Sequence, residues 1–134
     1  MTISLEIVSP EKLLLSRRPV DMVVIPASEG DIGVLEGHTP MIVMLRGGTI
    51  DLYDGDRVSD RLFVTGGFAE ITPERCTVLA NQAVPLSEVK KADAERQLAD
   101  AEAAYEAADK RDTAVEDAAL DRVQSARAMV EAAG

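Results

Sequence analysis

Aromatic residues, cysteine and histidine are scarce in this sequence of 134 residues. There is no tryptophan, and the aromatic residues together make up only 3% of the chain. The core must therefore consist of valine, isoleucine, leucine, methionine and alanine. Cys76 is the single cysteine, which excludes an internal disulfide and a cysteine-based metal cluster. We expect Cys76 to be a small apolar strand residue, and the protein to reside in a reducing compartment.

Long hydrophobic runs and an excess of positive charge are also missing. No window approaches the roughly 18 apolar residues that a transmembrane helix requires. The amino terminus lacks the basic segment and the apolar run of a secretory signal. The formal net charge is −10, which opposes attraction to nucleic acid and to anionic lipid headgroups. We expect a soluble protein of one domain, or of one domain with an appendage, that binds no nucleic acid.

Catalytic and cofactor-binding motifs are absent as well. His38 is the only histidine, which excludes a histidine-rich zinc site, and no serine or cysteine nucleophile is arranged around it. The pairs Gly47-Gly48 and Gly66-Gly67 fit neither a phosphate-binding loop nor a dinucleotide-binding motif, so we expect turns or close backbone packing there. Glu29 and Asp31 lack the spacing of an EF-hand. The sequence favours a binding or structural role with no catalytic residue, cofactor or metal.

The composition of the chain changes near Pro85. All six prolines and eight of the nine glycines lie at or before this residue, whereas fifteen alanines lie in residues 87–134. Glycine and proline punctuate turns between short strands, and alanine is the best helix former. We predict an α+β fold. An antiparallel β-sandwich or flattened barrel of about eight to ten short strands occupies residues 1–86, and an antiparallel α-helical hairpin occupies residues 87–134.

Alternating apolar and polar residues predict the strands of the first half. The predicted strands cover residues 3–7, 12–16, 20–25, 41–46, 49–53, 61–65, 68–72 and 75–80. Pro26 is expected to end the third of them, and Arg17-Arg18-Pro19 is expected to form a turn or an edge. Asp54-Gly55 predicts a type I′ hairpin turn.

Two alanine-rich stripes at helical spacing predict the helices of the second half. Ser87 is expected to cap the first helix, Thr113-Ala114-Val115-Glu116 to form a capping box at the second, and residues 109–113 to connect them. The stripes are Val89, Ala94, Leu98, Ala101, Tyr105 and Ala108 in the first helix, and Val115, Ala119, Val123, Ala126 and Val130 in the second. A seam of alanine buries little apolar area, so the hairpin should lean on another surface or detach from it.

A glycine-rich polar loop covers residues 28–40. Its three glycines permit tight or left-handed turns. The apolar residues Ile32, Val34 and Leu35 predict a short strand between two such turns. A loop that is both shaped and polar is typical of a contact surface, and a decorated hairpin explains the same pattern equally well.

Four segments of the chain resemble epsilon subunits of bacterial F-type ATP synthases. They are Val8-Ser9-Pro10-Glu11, the loop from Ser28 to Pro40, Gly66-Gly67-Phe68-Ala69-Glu70-Ile71, and Val78-Leu79-Ala80. The S-E-G-[DE]-[IL]-G…G-H-x-P pattern of the loop is the most specific part. In architecture the resemblance covers the whole chain.

The resemblance implies a non-catalytic subunit of the central rotor that couples rotation of the c-subunit ring to the gamma shaft during ATP synthesis. It implies c-ring contacts at Glu29, Gly30 and Asp31, and gamma contacts at His38, Met41, Ile42, Val43 and Met44. The alpha and beta catalytic subunits are further expected partners, through the hairpin. The implied location is peripheral, on the cytoplasmic face of the bacterial inner membrane, with attachment only through the complex.

The hairpin departs from the family pattern. Some members bind ATP through an [IL]-D-x-x-R-A motif, whereas Val89-Lys90-Lys91-Ala92-Asp93-Ala94 has Lys90 at the aspartate position and Asp93 at the arginine position. The broken motif argues against ATP binding. Inhibitory members present basic residues of the second helix to an acidic segment of the catalytic subunit. Residues 113–134 carry four acidic residues against two arginines, so we expect weak or absent inhibition.

Two other hypotheses fit the sequence less well. The first is an unrelated β-sandwich adaptor whose helices bind another coiled coil, and co-purification with gamma and the c ring would distinguish it from a rotor subunit. The second is a small enzyme, which saturable turnover by the isolated chain would support.

Overall fold

The computed structural model describes residues 2–10, 13–108 and 111–133, and it shows a two-layered strand body followed by a helical hairpin. Ten strands lie within these residues: β1 Ile3–Val8, β2 Leu13–Val20, β3 Met22–Ala27, β4 Gly30–Val34, β5 Met41–Leu45, β6 Gly48–Asp54, β7 Arg57–Val64, β8 Gly67–Ile71, β9 Arg75–Ala80 and β10 Ala83–Pro85. A 3₁₀ turn, Leu86–Glu88, leads to the helices α1 Lys91–Ala107 and α2 Thr113–Ala133. The predicted α+β class is confirmed.

The ten strands form one sheet that folds into two layers. The strand order is β10-β7-β6-β3-β5-β8-β9-β1-β2, with β4 paired to β3. The first layer contains β10, β7, β6, β3 and β4, and the second contains β5, β8, β9, β1 and β2. A single residue pair, Ala27 with Leu45, joins β3 to β5. At the opposite side Arg18 of β2 forms an ion pair with Asp60 of β7 at 2.6 Å, so the sheet approaches a closed barrel.

One strand pair differs from the predicted antiparallel pattern. Strands β1 and β9 run parallel, with Ser4 opposite Arg75 and Val8 opposite Leu79. All other paired strands in the described residues are antiparallel. The parallel pair places the first strand in the middle of the second layer, where both of its edges are paired.

An aliphatic core fills the space between the two layers. It contains the inward-facing residues of strands from both layers, such as Ile3, Leu5 and Ile7 of β1, which are fully buried. Cys76 belongs to this core, and burial raises the pKa of its thiol to about 12. The thiol therefore stays protonated at neutral pH and acts as a small apolar side chain, as the sequence predicts.

Two prolines lie inside strands. The sequence predicts Pro26 at the end of a strand and Pro19 in a turn or at an edge. Strand β3 continues through Pro26, whose carbonyl oxygen accepts a hydrogen bond from the backbone N–H of Arg46 at 2.9 Å. Strand β2 continues through Arg17-Arg18-Pro19 at the edge of the sheet, so the edge alternative is right and the turn is wrong. A β-bulge with φ of +50° at Arg17 accommodates the irregular register. Lys12 and Glu11 lie outside the described residues.

The turn after β6 is not the predicted type I′ turn at Asp54-Gly55. The strand pairing places Gly55 and Asp56 at the centre, between the opposed residues Asp54 and Arg57. Only Gly55 of the two has a positive φ, +64°, and this combination fits a type II′ turn with glycine first. The carboxylate of Asp21 accepts a hydrogen bond from the Gly55 N–H at 2.6 Å.

Both helices begin at other residues than predicted. Helix α1 begins at Lys91, not after Ser87, because Val89 takes an extended backbone and packs against the cluster around Phe63. At α2 the cap is Asp112 instead of a Thr113 capping box, since its Oδ1 accepts hydrogen bonds from the N–H groups of Ala114 at 3.1 Å and Val115 at 3.3 Å. In the predicted connection, residues 109 and 110 lie outside the described residues.

The hairpin packs on the outer face of the first layer, around Phe63 of β7. Phe63 is fully buried, and it packs with Ala94 of α1 and Met129 of α2. Met129, which the predicted stripe omitted, is more buried than its neighbour Val130, and Val115 of the stripe is exposed. The hairpin therefore leans on the strand body, which is one of the two alternatives that its alanine-rich seam predicts.

Further contacts fix α2 at two turns of the strand body, between β7 and β8 and between β5 and β6. The hydroxyl of Ser125 donates a hydrogen bond to the carbonyl oxygen of Thr65 at 2.9 Å. A Cβ atom on Gly47 would lie 2.7 Å from the Cα of Ser125, so only glycine allows this approach. No helix in the described part of the chain is long and apolar enough to cross a membrane.

Candidate functional site

The outer face of the second layer carries apolar side chains that the hairpin does not cover. Met44 lies opposite Phe68, Phe68 opposite Leu79, Leu79 opposite Val8, and Val8 opposite Leu13. Opposed residues share one face of a sheet, so these five side chains form a row across β5, β8, β9, β1 and β2. With about 4.8 Å between strands, this apolar row is about 19 Å long.

Exposure distinguishes the apolar row from an ordinary surface. Met44 is 63% exposed and Leu13 54%, and Phe68 and Leu79 are also exposed. Ile42, which lies two residues before Met44 on the same face of β5, is 69% exposed. Single exposed apolar residues are common on proteins, but a contiguous set marks an interaction surface.

Polar residues border the apolar row on one side. Ile42 lies opposite Glu70, and Glu70 lies opposite Thr77. An apolar centre with a polar border is the usual anatomy of a protein–protein interface. Among the described residues, none of the exposed large apolar side chains lies on a strand of the first layer, where the hairpin covers Phe63.

The loop between β3 and β4 is a tight hairpin tip. Ser28 and Glu29 connect the strands, and Gly30 follows with φ of +142° and open space around its Cβ position. We refer to residues 28–31 as the acidic loop, because the carboxylates of Glu29 and Asp31 are exposed on it. Asp31 forms an ion pair with the guanidinium of Arg46.

The predicted short strand in the glycine-rich segment is β4. It contains Ile32 and Val34, whereas Leu35 lies beyond its end and is exposed. The turn after β4 is tied to the body by a hydrogen bond from the Gly37 N–H to the carbonyl oxygen of Pro73 at 2.7 Å. Strand β4 and the turn that follows it are therefore held against the strand body.

The three predicted ring contacts lie beside four of the five predicted gamma contacts. Glu29, Gly30 and Asp31 line the same cleft of about 430 Å³ as residues 41–44. His38 does not line this cleft. It is half-buried in the turn after β4, where its Nδ1 atom lies 2.8 Å from the carbonyl oxygen of Thr39. On β5, Val43 packs against the core, while Met41, Ile42 and Met44 are exposed.

The sequence reasoning missed the larger part of the apolar row. Period-two alternation in β8 and β9 does place Phe68 and Leu79 on the face opposite Ala69 and Val78. The pattern does not say that these faces are neighbours, because strand register is a long-range property. Leu13 joins the row only through the parallel pairing of β1 with β9.

A carboxylate of unusual surroundings, Asp51, lies on the outer face of the first layer. Its Oδ1 atom is 3.5 Å from Nε of Arg61 and has no hydrogen-bond partner. Burial raises the pKa of Asp51, the guanidinium of Arg61 opposes this rise, and the negative charge of Asp31 adds to it. The charged form of Asp51 is thus less favourable in the folded protein than in the unfolded chain.

We expect Asp51→Asn to stabilise the protein slightly at pH 7, by less than about 1 kcal/mol. Because the folded pKa of Asp51 lies above its unfolded value near 3.8, its contribution to stability falls as the pH rises through the folded pKa. Urea unfolding of both proteins at pH 7 and pH 4 measures the effect. The gain should be smaller at pH 4, and a loss of stability at pH 7 would show that the attraction of Arg61 outweighs the burial of charge.

The positions that depart from the ATP-binding pattern face a cleft between the strand body and the hairpin. Lys90 and Asp93 line this cleft of about 350 Å³, together with Glu88 and Gln97.

Within residues 2–10, 13–108 and 111–133, no group of three or more histidine, cysteine, aspartate or glutamate side chains is placed to hold a metal ion.

Comparison with known sequences gives consistent matches. The family profile described as "ATP synthase, Delta/Epsilon chain, beta-sandwich domain" matches residues 2–86. The ATP synthase epsilon chain of Granulibacter bethesdensis is 68% identical over 130 residues, which cover 97% of this chain and 96% of that protein. The epsilon chain of Gluconacetobacter diazotrophicus is 50% identical over 134 residues, covering 100% of this chain and 94% of that protein.

Solved structures share the fold. A chain in the cryo-EM structure of the Euglena gracilis mitochondrial ATP synthase, OSCP/F1/c-ring in rotational state 1, matches with a TM-score of 0.79 and 25% identity, over 99% of this chain and 82% of that chain. A chain in the Tetrahymena thermophila mitochondrial ATP synthase central stalk/c-ring structure matches with a TM-score of 0.68 and 15% identity, over 100% and 98% of the two chains. The second likeness concerns the fold alone.

Proposed function

The chain belongs to the ATP synthase epsilon chain family, and on this premise we propose that two surfaces of its strand body join the gamma shaft to the c-subunit ring. It is a central-stalk subunit of the rotor that takes part in ATP synthesis. The two surfaces are the apolar row with its neighbours on β5, and the acidic loop. Both lie on the strand body.

The apolar row is the proposed gamma surface. The exposure of Ile42, Met44 and Phe68 on one uncovered sheet face is the single observation that carries this proposal. Met41 and Val43 lie on the same strand, and His38 in the turn before it completes the proposed set of gamma contacts. The backbone of a paired strand is ordered before binding, so the partner is held at little cost in backbone conformational entropy.

The acidic loop is the proposed c-ring surface. Glu29 and Asp31 expose their carboxylates at a two-residue turn, and Gly30 leaves open space between them. A loop of the ring that carries lysine or arginine would fit this surface, because complementary charges set the register and speed association. The cleft shared with Met44 lets one body contact shaft and ring at adjacent positions.

The proposed role is mechanical and non-catalytic. The core between the two layers and the docked hairpin resist bending of the strand body. A stiff body passes the torque of the ring to the shaft instead of absorbing it. We place the protein peripherally on the cytoplasmic face of the bacterial inner membrane, attached through the complex.

The hairpin is proposed as a separate helical unit over residues 87–134, next to the strand domain of residues 1–86. It is docked on the first layer through Phe63. Its contact with the alpha and beta subunits is proposed to be weakly inhibitory or not inhibitory. The acidic excess in α2 supports this, since a similarly charged segment of the catalytic subunit would repel it.

Charge reversal of the acidic loop tests the proposed ring contact. We expect Glu29→Lys with Asp31→Lys to weaken binding of the isolated ring at least tenfold and to leave gamma binding unchanged, because the reversed charges repel the basic ring loops. Pull-down of reconstituted ring and of gamma by the full chain, at low and at moderate salt, measures both.

A matched variant controls for net charge. Asp54→Lys with Asp56→Lys makes the same change of charge in another exposed turn, between β6 and β7. This pair should retain ring binding within about twofold at moderate salt, where the Debye length is about 10 Å. An equal loss in both variants, or no loss in either, would contradict a specific contact at the acidic loop.

A further inference from the structure

The guanidinium of Arg46 lies between the acidic loop and the second helix. Arg46 follows β5, and its backbone N–H is held by the carbonyl oxygen of Pro26 at 2.9 Å. Its guanidinium pairs with Asp31. It also lies over Gly48, where an added Cβ atom would be 3.0 Å from Nη1. The backbone of Arg46 is thus held by Pro26, while its partly exposed guanidinium is held by Asp31.

Helix α2 forms the opposite wall of the same site. Asp31, Arg46 and Asp51 line a cleft of about 340 Å³ together with Ala128 and Glu131 of α2. Six residues before Glu131, Ser125 packs so closely on Gly47 that an added Cβ atom would lie 2.7 Å from its Cα, and this approach holds α2 close to the arginine. Glu131 has no ion-pair partner in the described part of the chain.

We propose that Arg46 is a positioning residue through which the occupancy of Asp31 controls how firmly the hairpin is docked. A cation that binds Asp31 from outside releases the guanidinium, which then turns to Glu131 and draws α2 onto the strand body. The proposal rests on the proposed function in one respect: the c ring supplies the cation. Contact with the ring would thereby tighten the hairpin in its docked position.

The charges of the cleft support this exchange of partners. Asp51 already lies 3.5 Å from the Nε atom of Arg61, so part of its charge is compensated before Arg46 is released. With Asp31 neutralised, Glu131 is the remaining carboxylate of the cleft without an arginine. Exposed ion pairs contribute at most about 1 kcal/mol, and therefore the expected change in hairpin opening is at most about fivefold.

Hydrogen exchange of the isolated full-length chain tests the proposal without the ring. Asp31→Asn mimics neutralisation of the loop, and it should slow the exchange of α2 amides by up to about fivefold through rarer hairpin opening. In an Arg46→Gln or a Glu131→Gln background, Asp31→Asn should have no such effect. Glu29→Gln removes a neighbouring charge that does not pair with Arg46, and it should leave the α2 amides unchanged.

Two results would overturn the proposal. One is an unchanged or faster α2 exchange in Asp31→Asn. The other is the same slowing in the Arg46→Gln background, which would mean that the charge of the loop acts on the hairpin directly. Urea unfolding midpoints show that each variant is folded. Since no ring is present, failure here leaves the ring contact untouched, and failure of the ring contact leaves this result interpretable.

Discussion

Replacing Ile42 and Met44 by aspartate is expected to weaken gamma binding at least about 100-fold, or roughly 2.7 kcal/mol. Both side chains are exposed at the end of the apolar row, so no core contact is lost. The isolated chain should lose only about 1–2 kcal/mol of stability, from the low strand propensity of aspartate and from the charge of Glu70 opposite position 42. In the complex each aspartate would lose water without gaining a partner, which costs several kcal/mol for a buried charge. Titration calorimetry with purified gamma gives the affinity, and urea unfolding gives the stability.

The hairpin offers a matched control for this double variant. Val115 and Leu120 are exposed apolar residues of α2, and their replacement by aspartate makes the same chemical change on another surface. Gamma binding should then stay within about twofold of the unmodified chain. Retained binding in the strand variant, or an equal loss in the helix variant, would show that gamma does not cover the apolar row.

Much of the fold could be predicted from local sequence patterns. Alternation located most strands of the body, and the loss of glycine and proline after Pro85 located the helices. The physical reason is that side-chain direction in a strand and backbone freedom at glycine are properties of a few adjacent residues. The fold class could therefore be predicted, and strand β10 with the parallel β1–β9 pair could not.

Long-range packing determines which outward-facing apolar side chains are covered, and the alternation of apolar and polar residues does not. On β8 the large Phe68 faces outward and the small Ala69 faces the core, opposite Val43 and Val78. On β7 the outward-facing Phe63 is nevertheless fully buried, because the hairpin covers it. Hydrophobicity alone would assign both phenylalanines to the core. The difference between a contact surface and a domain junction appears only when the hairpin is placed.

The proposed site also combines features that the local sequence predicts with features that depend on long-range packing. Glycine spacing predicted the hairpin tip that carries Glu29 and Asp31, because the turn chemistry is local. The partner of Asp31 is Arg46, fifteen residues further along the chain, and no sequence motif indicates that these two residues form an ion pair. The cleft that joins Asp31 to Glu131 of α2 depends on the docking of the hairpin, which sequence reasoning could state only as one of two alternatives.

Gly67→Ala is expected to destabilise the strand body by more than about 4 kcal/mol, in the range of the most severe single substitutions. A Cβ atom at this position would lie 2.1 Å from the carbonyl oxygen of Leu79 and 2.9 Å from the Cα of Ala80. Both atoms belong to the backbone of β9, which is paired on its other edge with β1 and cannot turn aside. Any shift of β8 from β9 would also separate Phe68 from Leu79 in the apolar row, so gamma binding should fall with stability.

Gly30→Ala separates the clash at Gly67 from the strain of its backbone. The two glycines have similar φ angles, +142° at Gly30 and +127° at Gly67, but the Cβ position of Gly30 has no heavy atom within 4 Å. Gly30→Ala should therefore cost only the conformational strain, about 1–3 kcal/mol. Urea unfolding of the isolated chains measures both changes. Equal losses of stability would mean that backbone strain alone accounts for Gly67, and that β8 does not need its close approach to β9 to hold the apolar row in place.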